Sequence, residues 1–136
     1  MARFAALIDG EPGAFGVVFP DCPGCTAMGA TLDEALAAAG EALADWAADV
    51  AGARGALPQP RSVAALRVDP EVRAALAEGA ALAVVPLILE AGRPVKANLS
   101  LDAGLLAAID EAAAARGLTR SAFLASAARA KLLEQG

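Results

Sequence analysis

The sequence predicts an α+β protein of two small domains, a βββαβ domain followed by a dimerising domain of one strand and two helices. Three strand-like runs precede a long amphipathic helix in the first half of the chain. A strictly alternating heptapeptide precedes two helices in the second half. Charge divides in the same way: residues 1–92 carry 5 Lys+Arg and 12 Asp+Glu, which is −7, whereas residues 93–136 carry 6 and 4, which is +2. We therefore place the domains at residues 1–92 and 93–136.

The first domain opens with short apolar runs that are typical of strands. Residues 3–8 are predicted to be a strand, residues 9–13 a turn rich in glycine, and residues 14–19 the second strand of a hairpin. Residues 20–25, Pro-Asp-Cys-Pro-Gly-Cys, should form a rigid turn because their two prolines fix φ. Thr26–Gly29 is expected to be a short third strand.

A long helix is predicted after the third strand. Thr31 followed by Glu34 is a capping-box pattern, and the helix should run to about Val50. Its apolar residues recur at helical spacing, and its acidic residues fall largely on another face. The apolar stripe predicts packing against the sheet of the hairpin. This stripe consists of Leu32, Leu36, Ala39, Leu43, Trp46 and Val50.

The remainder of the first domain is predicted to contain a linker, two short helices and a strand. Residues 57–60, Leu-Pro-Gln-Pro, have the composition of a linker. The helices are expected at residues 62–66 and 70–77, the second with a proline at its first position, where proline is favoured. Residues 81–90 should be the fourth strand, and Pro86 indicates that this strand lies at a sheet edge or at a bulge.

Residues 91–94 are expected to be a hinge, after which residues 95–101 alternate between apolar and polar side chains. The apolar set is Val95, Ala97, Leu99 and Leu101, and the polar set is Lys96, Asn98 and Ser100. Side chains on a strand alternate between its two faces, and a single strand leaves its backbone N–H and C=O groups without partners. A strand from a second copy of the chain would supply them. We therefore expect a two-stranded antiparallel ribbon and a homodimer or a higher even oligomer.

Two capped helices are predicted to follow the alternating segment. Asp102 should cap the first helix, Gly117 should end it, and Thr119 should cap the second. The first helix has apolar residues at helical spacing, as does the second. These are Leu105, Leu106, Ile109, Ala112 and Ala113, and then Phe123, Leu124, Ala127, Ala128 and Leu132.

The segment 95–132 resembles the ribbon-helix-helix DNA-binding family, and residues 117–124, Gly-Leu-Thr-Arg-Ser-Ala-Phe-Leu, look like its turn into the second helix. A two-stranded ribbon fits the major groove, and Lys, Asn and Ser side chains hydrogen-bond base edges. The resemblance also implies that the N-terminus of the second helix touches a phosphate, which its free N–H groups and dipole favour. The candidate DNA-binding residues are Lys96, Asn98, Ser100, Thr119, Arg120 and Ser121.

Residues 19–25, Phe-Pro-Asp-Cys-Pro-Gly-Cys, followed by Gly29, Thr31, residues 34–36 and Trp46, resemble the N-terminal domain of HicB-like antitoxins. Those proteins join a degenerate RNase H-like βββαβ domain to a DNA-binding domain, often of ribbon-helix-helix type. The resemblance extends over nearly the whole chain. It implies a type II antitoxin that binds a small, basic HicA-like RNase toxin and represses its own operon by binding operator DNA. The residues that contact the toxin are not indicated.

Catalytic and metal-binding chemistry has few candidate residues. Cys22 and Cys25 form a CxxC pair, but redox chemistry needs a helix N-terminus at the first cysteine, and zinc needs two further N or S ligands. The chain has no His and no other Cys, so it lacks the usual general base as well. The candidates for a carboxylate-metal nuclease, which lie in predicted turns or on a helix face, are Asp9, Asp21, Glu41 and Asp45. We therefore expect no enzyme, no cofactor and no metal.

Two alternative functions remain open. The first is a ribbon-helix-helix repressor whose N-terminal domain senses a small ligand, and the second is a thiol oxidoreductase or nuclease. Location is less ambiguous, because residues 9–11 interrupt the opening apolar run, and the longest apolar stretch, residues 79–89, is too short to span a bilayer. We expect a cytoplasmic protein without membrane association.

Overall fold

A computed structural model describes residues 1–89 and 94–134. They form two compact units, an N-terminal unit within residues 1–89 and a C-terminal unit within residues 94–134. The described chain contains a four-stranded antiparallel sheet and five helices, in line with the predicted α+β class. Residues 90–93 lie outside the described residues. They include the last residue of the predicted fourth strand and residues 91–93 of the predicted hinge at residues 91–94.

The sheet of the N-terminal unit has the strand order β3-β2-β1-β4. The strands are β1 (Arg3–Glu11), β2 (Ala14–Val18), β3 (Thr26–Gly29) and β4 (Ala81–Pro86). The prediction of a turn over residues 9–13 was wrong for residues 9–11, because the turn needs only Pro12 and Gly13. Pro12 sets φ at the first turn position, and Gly13 adopts φ +98° at the second. The chain therefore continues as β1 up to Glu11, which pairs with Ala14.

Helix α1 (Leu32–Gly52) begins where the capping box predicted. Thr31 Oγ1 accepts a hydrogen bond from the Glu34 N–H at 3.1 Å, and the Glu34 carboxylate accepts one from the Ala30 N–H at 3.1 Å. Leu32 was predicted to be in the buried stripe, but it is 47% exposed. It is the first helical residue, and the helix becomes buried only from Ala35 onward, where it lies against the sheet. The buried residues are Ala35, Ala39, Gly40, Leu43 and Ala47.

Two short helices, α2 (Val63–Arg67) and α3 (Pro70–Ala77), lie at the predicted positions. They pack on the sheet through Leu66 and Val72, which form a core cluster with Ala5 and Leu7 of β1. Since Phe4, Ala6 and Ile8 alternate with Ala5 and Leu7 and are buried as well, both faces of β1 are covered. Strand β4 is an edge strand, one of the two placements that Pro86 indicated. It ends at Pro86, which has no N–H for the ladder, so the prediction of a strand was wrong for residues 87–89.

The C-terminal unit consists of α4 (Ala103–Ala115) and α5 (Arg120–Leu133), preceded by residues 94–102. The predicted caps are confirmed: Asp102 Oδ1 accepts the N–H groups of Gly104 and Leu105, and Thr119 Oγ1 accepts the N–H of Ala122. Gly117 ends α4 with φ +67°. Buried residues in the described part of this unit are Ile109 and Ala113, both in α4.

The alternating segment has no strand partner within the described chain, and all its side chains are exposed. Val95 is 88% exposed and Leu99 is 65% exposed. Helix α5 buries none of its residues, although it was predicted to have an apolar stripe. Its stripe and that of α4 have no further element of this unit to cover them. The ribbon formed with a second chain therefore stays a prediction.

Candidate functional site

The predicted base-reading residues lie in the segment before α4. Lys96, Asn98 and Ser100 are outside any helix or strand and are exposed. The exposed apolar residues Val95 and Leu99 belong to the same segment. The structure therefore places these polar side chains within one short accessible stretch, next to the apolar side chains with which they alternate.

The predicted phosphate-binding residues lie at the N-terminus of α5. The Thr119 hydroxyl is engaged as the helix cap, and the first N–H groups of a helix have no partner within it. The Arg120 guanidinium forms a two-point ion pair with Asp110 of α4, with Nε–Oδ1 and Nη2–Oδ2 distances of 2.8 Å. This pairing lowers the pKa of Asp110 and raises the pKa of Arg120. Arg120 thus joins α4 to α5, a contact that the sequence analysis missed.

The two helices are also joined through an aromatic ring. The Arg116 guanidinium lies over the Phe123 ring, 5.6 Å from its centroid, which is within range of a cation–π interaction. Arg116 precedes the turn at Gly117 and Phe123 follows it. Two contacts therefore join α4 to α5, one made by an arginine before the turn and the other by an arginine after it.

The N-terminal unit contains a cleft of about 400 Å³ between the turn at residues 20–25, the sheet and α3. The cleft is mainly apolar, with charged groups at its margin contributed by the start of α3 and by Arg61, which precedes the N-cap residue of α2. Its lining residues are Leu7, Val18, Phe19, Pro20, Pro23, Arg61, Asp69, Glu71, Val72 and Ala75.

Arg61 holds one margin of this cleft together. Its Nε donates to Asp21 Oδ1 at 2.6 Å, its backbone N–H donates to Asp21 Oδ2 at 2.9 Å, and its Nη1 donates to Asp69 Oδ2 at 2.9 Å. The hydrogen bond with Arg61 is the main reason why the pKa of Asp69 is lowered. On the other side of the turn, Trp46 Nε1 donates to the carbonyl oxygen of Pro23 at 3.0 Å. The turn is therefore fastened from α1 and from the α2–α3 region.

The two cysteines are close together within this turn. Cys25 N–H donates to the Cys22 carbonyl at 3.0 Å, and Gly24 adopts φ +84° between them. Both are free thiols and buried. Burial raises the pKa of Cys22 to about 12, with smaller contributions from Cys25 and Asp21, and burial raises the pKa of Cys25 as well. A thiol with a raised pKa is a poor nucleophile at neutral pH, and α1 begins only after Thr31.

The four carboxylates considered for nuclease chemistry are not brought together. Asp9 lies on β1 instead of in a turn, Asp21 is paired with Arg61, and Glu41 and Asp45 are exposed on α1. Within residues 1–89 and 94–134, no group of three His, Cys, Asp or Glu side chains has a metal-binding arrangement. None of the helices in this described part has the length and apolar character needed to cross a membrane.

Comparison with known proteins places these features in a family. The family profile described as the HicB_like antitoxin of bacterial toxin-antitoxin systems matches residues 4–128. The crystal structure of the Burkholderia pseudomallei antitoxin HicB is similar at 30% identity and a TM-score of 0.57, covering 95% of this chain and 97% of that chain. The crystal structure of antitoxin HicB3 is similar at 30% identity and a TM-score of 0.54, covering 98% and 99%.

A third solved structure contains a partner. It is described as a HicA3 and HicB3 toxin-antitoxin complex, and its similar chain has 25% identity and a TM-score of 0.53, covering 63% of this chain and 98% of that chain. A search of curated proteins finds no match. The family match over nearly the whole length confirms the resemblance seen in residues 19–46. The chain therefore belongs to the HicB-like antitoxins of bacterial toxin-antitoxin systems.

Proposed function

We propose that this protein is a cytoplasmic, non-enzymatic antitoxin that binds a small, basic HicA-like RNase toxin through residues 1–92. Through residues 93–136 it dimerises, binds operator DNA and represses its own operon. The observation that carries the proposal is the opposite charge of the two parts, −7 and +2, in a chain of the HicB-like family. The similar HicB3 chain in a complex with HicA3 supports a toxin as the partner of the acidic part.

Attraction between an acidic antitoxin and a basic toxin mainly accelerates their encounter. Such long-range attraction weakens with salt, with a screening length of about 8 Å at physiological ionic strength. Contacts in an apolar interface must supply most of the remaining affinity. The toxin complex should therefore form more slowly at high salt but should not be abolished.

The proposal for DNA binding rests on the accessible residues 96–100 and on the N-terminus of α5. In a ribbon of two chains, Lys96, Asn98 and Ser100 of each chain would contact base edges in the major groove. Thr119, Arg120 and Ser121 would contact phosphate oxygens, which position the protein without reading sequence. Arg120 would have to exchange its Asp110 carboxylate for a phosphate.

The antitoxin function can be tested with the full chain in cells. The antitoxin function predicts that the gene next to this one encodes a small basic protein. That protein should arrest growth when expressed alone, and co-expression of this chain should restore growth. A purified complex of the two proteins is expected in size-exclusion chromatography. If the neighbouring gene product is neither bound nor neutralised, the antitoxin proposal is wrong and the ligand-sensing repressor becomes the better interpretation.

The DNA-binding function can be tested by comparing operator and random DNA. Replacing Asn98 by Ala should cost roughly 1–3 kcal/mol on the operator and relax discrimination at one base position. Replacing Arg120 by Ala should weaken binding to both DNAs by a similar factor if its guanidinium reaches a phosphate. Equal losses on both DNAs for Asn98→Ala would contradict base reading by Asn98, and unchanged binding for Arg120→Ala would restrict Arg120 to its contact with Asp110.

The cleft favours one alternative function, a repressor that senses a small ligand. Its volume of about 400 Å³ lies within the range of small-molecule sites, and Arg61 and Glu71 provide charged groups at its margin. This alternative predicts that a small molecule changes operator affinity and that the chain protects no cell from the neighbouring gene product. The antitoxin proposal predicts the opposite result in the protection assay.

A further inference from the structure

The two faces of the N-terminal sheet are covered unequally. Helix α1 packs across β2, β3 and β4 on one face, whereas α2 and α3 pack over β1 and β4 on the other. The strand register places Val18 beside Leu7, and Gly16 between Asp9 and Met28. Because paired residues of adjacent strands point to the same face, Val18, Gly16 and Met28 share the face of Leu7, which α2 and α3 cover. The β2–β3 part of that face extends beyond these helices.

This uncovered region, called the open half-face here, consists of Asp9, Gly16, Val18, Thr26 and Met28. Met28 is 72% exposed and Val18 is 46% exposed. Gly16 has no side chain, and the Asp9 carboxylate lies beside it, since a Cβ at Gly16 would lie 3.2 Å from Asp9 Oδ1. Val18 also lines the cleft, so the open half-face continues into it.

Carboxylates that form no ion pair in the described chain lie beside Val18 and Met28, on the β1 side of the face and at the cleft. Asp9 and Glu11 lie two residues apart on β1 and so share a face, and Glu71 lies at the cleft margin. None of the three forms an ion pair with another residue in the described part of the chain, whereas Asp69 is held by Arg61. An apolar centre with a polar rim is the usual arrangement of a protein interface, and an acidic rim complements a basic partner.

We propose that the open half-face and the adjoining cleft are the surface on which the basic toxin docks, an inference that rests on the proposed antitoxin function. An apolar side chain of the toxin packs against Val18 and Met28, and its Lys or Arg side chains approach Asp9, Glu11 and Glu71. Desolvated apolar contacts at the centre of an interface carry most of its affinity, whereas charges at the rim act mainly on encounter.

The acidic side of α1 serves as the matched comparison. Glu41 and Asp45 are exposed on this helix, which contains no Lys or Arg, but their neighbours three and four residues away are alanines and Asp49. This side attracts a basic protein but has no large apolar side chain around which an interface core forms. Substitutions on this side of α1 therefore test general electrostatic attraction, whereas substitutions on the open half-face test docking.

The experiment measures association and dissociation rates between the full chain and the small basic protein encoded beside it. Met28→Lys is compared with Leu32→Lys, which also replaces an exposed apolar side chain by lysine. Glu71→Lys is compared with Asp45→Lys. The two variants of each pair therefore have the same net charge. Met28→Lys and Glu71→Lys should weaken binding at least about tenfold, mainly through faster dissociation, and the two control variants should remain within about threefold of the unmodified chain.

The possible outcomes separate this proposal from the antitoxin function. If the unmodified chain does not bind the neighbouring protein, both are wrong. If the unmodified chain binds and the open half-face variants bind equally tightly, the docking surface is wrong and the antitoxin function stands. If Met28→Lys lowers the oligomeric state in light scattering without changing toxin affinity, the face joins copies of this chain and the proposal is overturned. Circular dichroism checks the fold of each variant, and Thr26→Lys replaces Met28→Lys if the latter does not fold.

Discussion

The N-terminal and C-terminal units differ in how much of their apolar surface their own chain covers. In the N-terminal unit, helices lie on both faces of the sheet, and Phe4, Leu43 and Leu66 are at most 2% exposed. In the C-terminal unit, the buried residues of the described chain are Ile109 and Ala113, and Leu99 is 65% exposed. Both units have well-capped helices, so the difference lies in packing and not in local structure.

This difference indicates which unit can be stable in a single chain. A buried apolar side chain contributes about 1.5–3 kcal/mol, and a unit with two buried side chains, one of them alanine, cannot offset the conformational entropy of its ordered residues. The N-terminal unit has its own core, whereas we expect the C-terminal unit to need a second chain or another partner. The predictions below test this contrast, beginning with the largest expected effect.

Removal of a large core side chain should destabilise the N-terminal unit strongly. Phe4 is 2% exposed on β1, and replacing it by Ala should lower the free energy of unfolding by about 3–5 kcal/mol. Trp46, the single tryptophan of the chain, lies on α1 and reports this transition by fluorescence in urea. Leu132→Ala is the control, because Leu132 is 47% exposed on α5 and should barely move the Trp46 transition. Equal shifts for both variants would contradict the contrast between the units.

A charge on the apolar side of the predicted ribbon should disrupt the dimer. Leu99→Asp places a carboxylate in the shared core and should destabilise the dimer by several kcal/mol, roughly the cost of burying an unpaired charge. Ser100→Asp adds the same charge on the predicted polar side and should leave the dimer intact. Light scattering over a range of concentrations measures both effects. A folded monomer for the unmodified chain would rule out the ribbon.

Loss of a helix cap should cost a similar free energy in each unit, smaller than the two effects above. A different measurement should detect the loss in each unit. Thr31→Ala and Thr119→Ala each remove the hydroxyl that accepts a helix N–H, a loss of about 1 kcal/mol. The first should shift the Trp46 unfolding transition. The second should instead raise the concentration at which the dimer dissociates. A shift of the Trp46 transition by Thr119→Ala of the same size would show that the units unfold together.

The smallest expected effect is the reaction of the buried thiols at neutral pH. Because burial raises the pKa of Cys22 to about 12, iodoacetamide should modify it slowly in the folded chain and rapidly in urea. The unfolded thiol ionises near pH 9.0, so this group leaves stability unchanged below that pH and lowers it as the pH rises toward 12. Fast alkylation of the folded chain, or a loss of function in Cys22→Ser at neutral pH, would support the redox alternative.

Local features could be predicted from the sequence because they depend on residues that are close together in the chain. The caps at Thr31, Asp102 and Thr119 follow from side chains that accept N–H groups two or three residues away. One local error, β1 ending at residue 8, arose because a two-residue turn at Pro12 and Gly13 suffices and residues 9–11 remain free to pair.

The contacts that shape the candidate surfaces depend on tertiary structure. Asp21 and Arg61 are 40 positions apart, and the turn and the start of α2 meet only after the sheet and its helices have formed. The open half-face likewise depends on strand register and on where α2 and α3 end on the sheet, so Met28 had no sequence signal that marked it as exposed. The sequence alone determined the elements, the capped helix starts and the alternation of residues 95–101, because short-range hydrogen bonding and side-chain periodicity specify them. Tertiary structure decided which faces remain open, because coverage depends on the packing of elements that are distant in the chain.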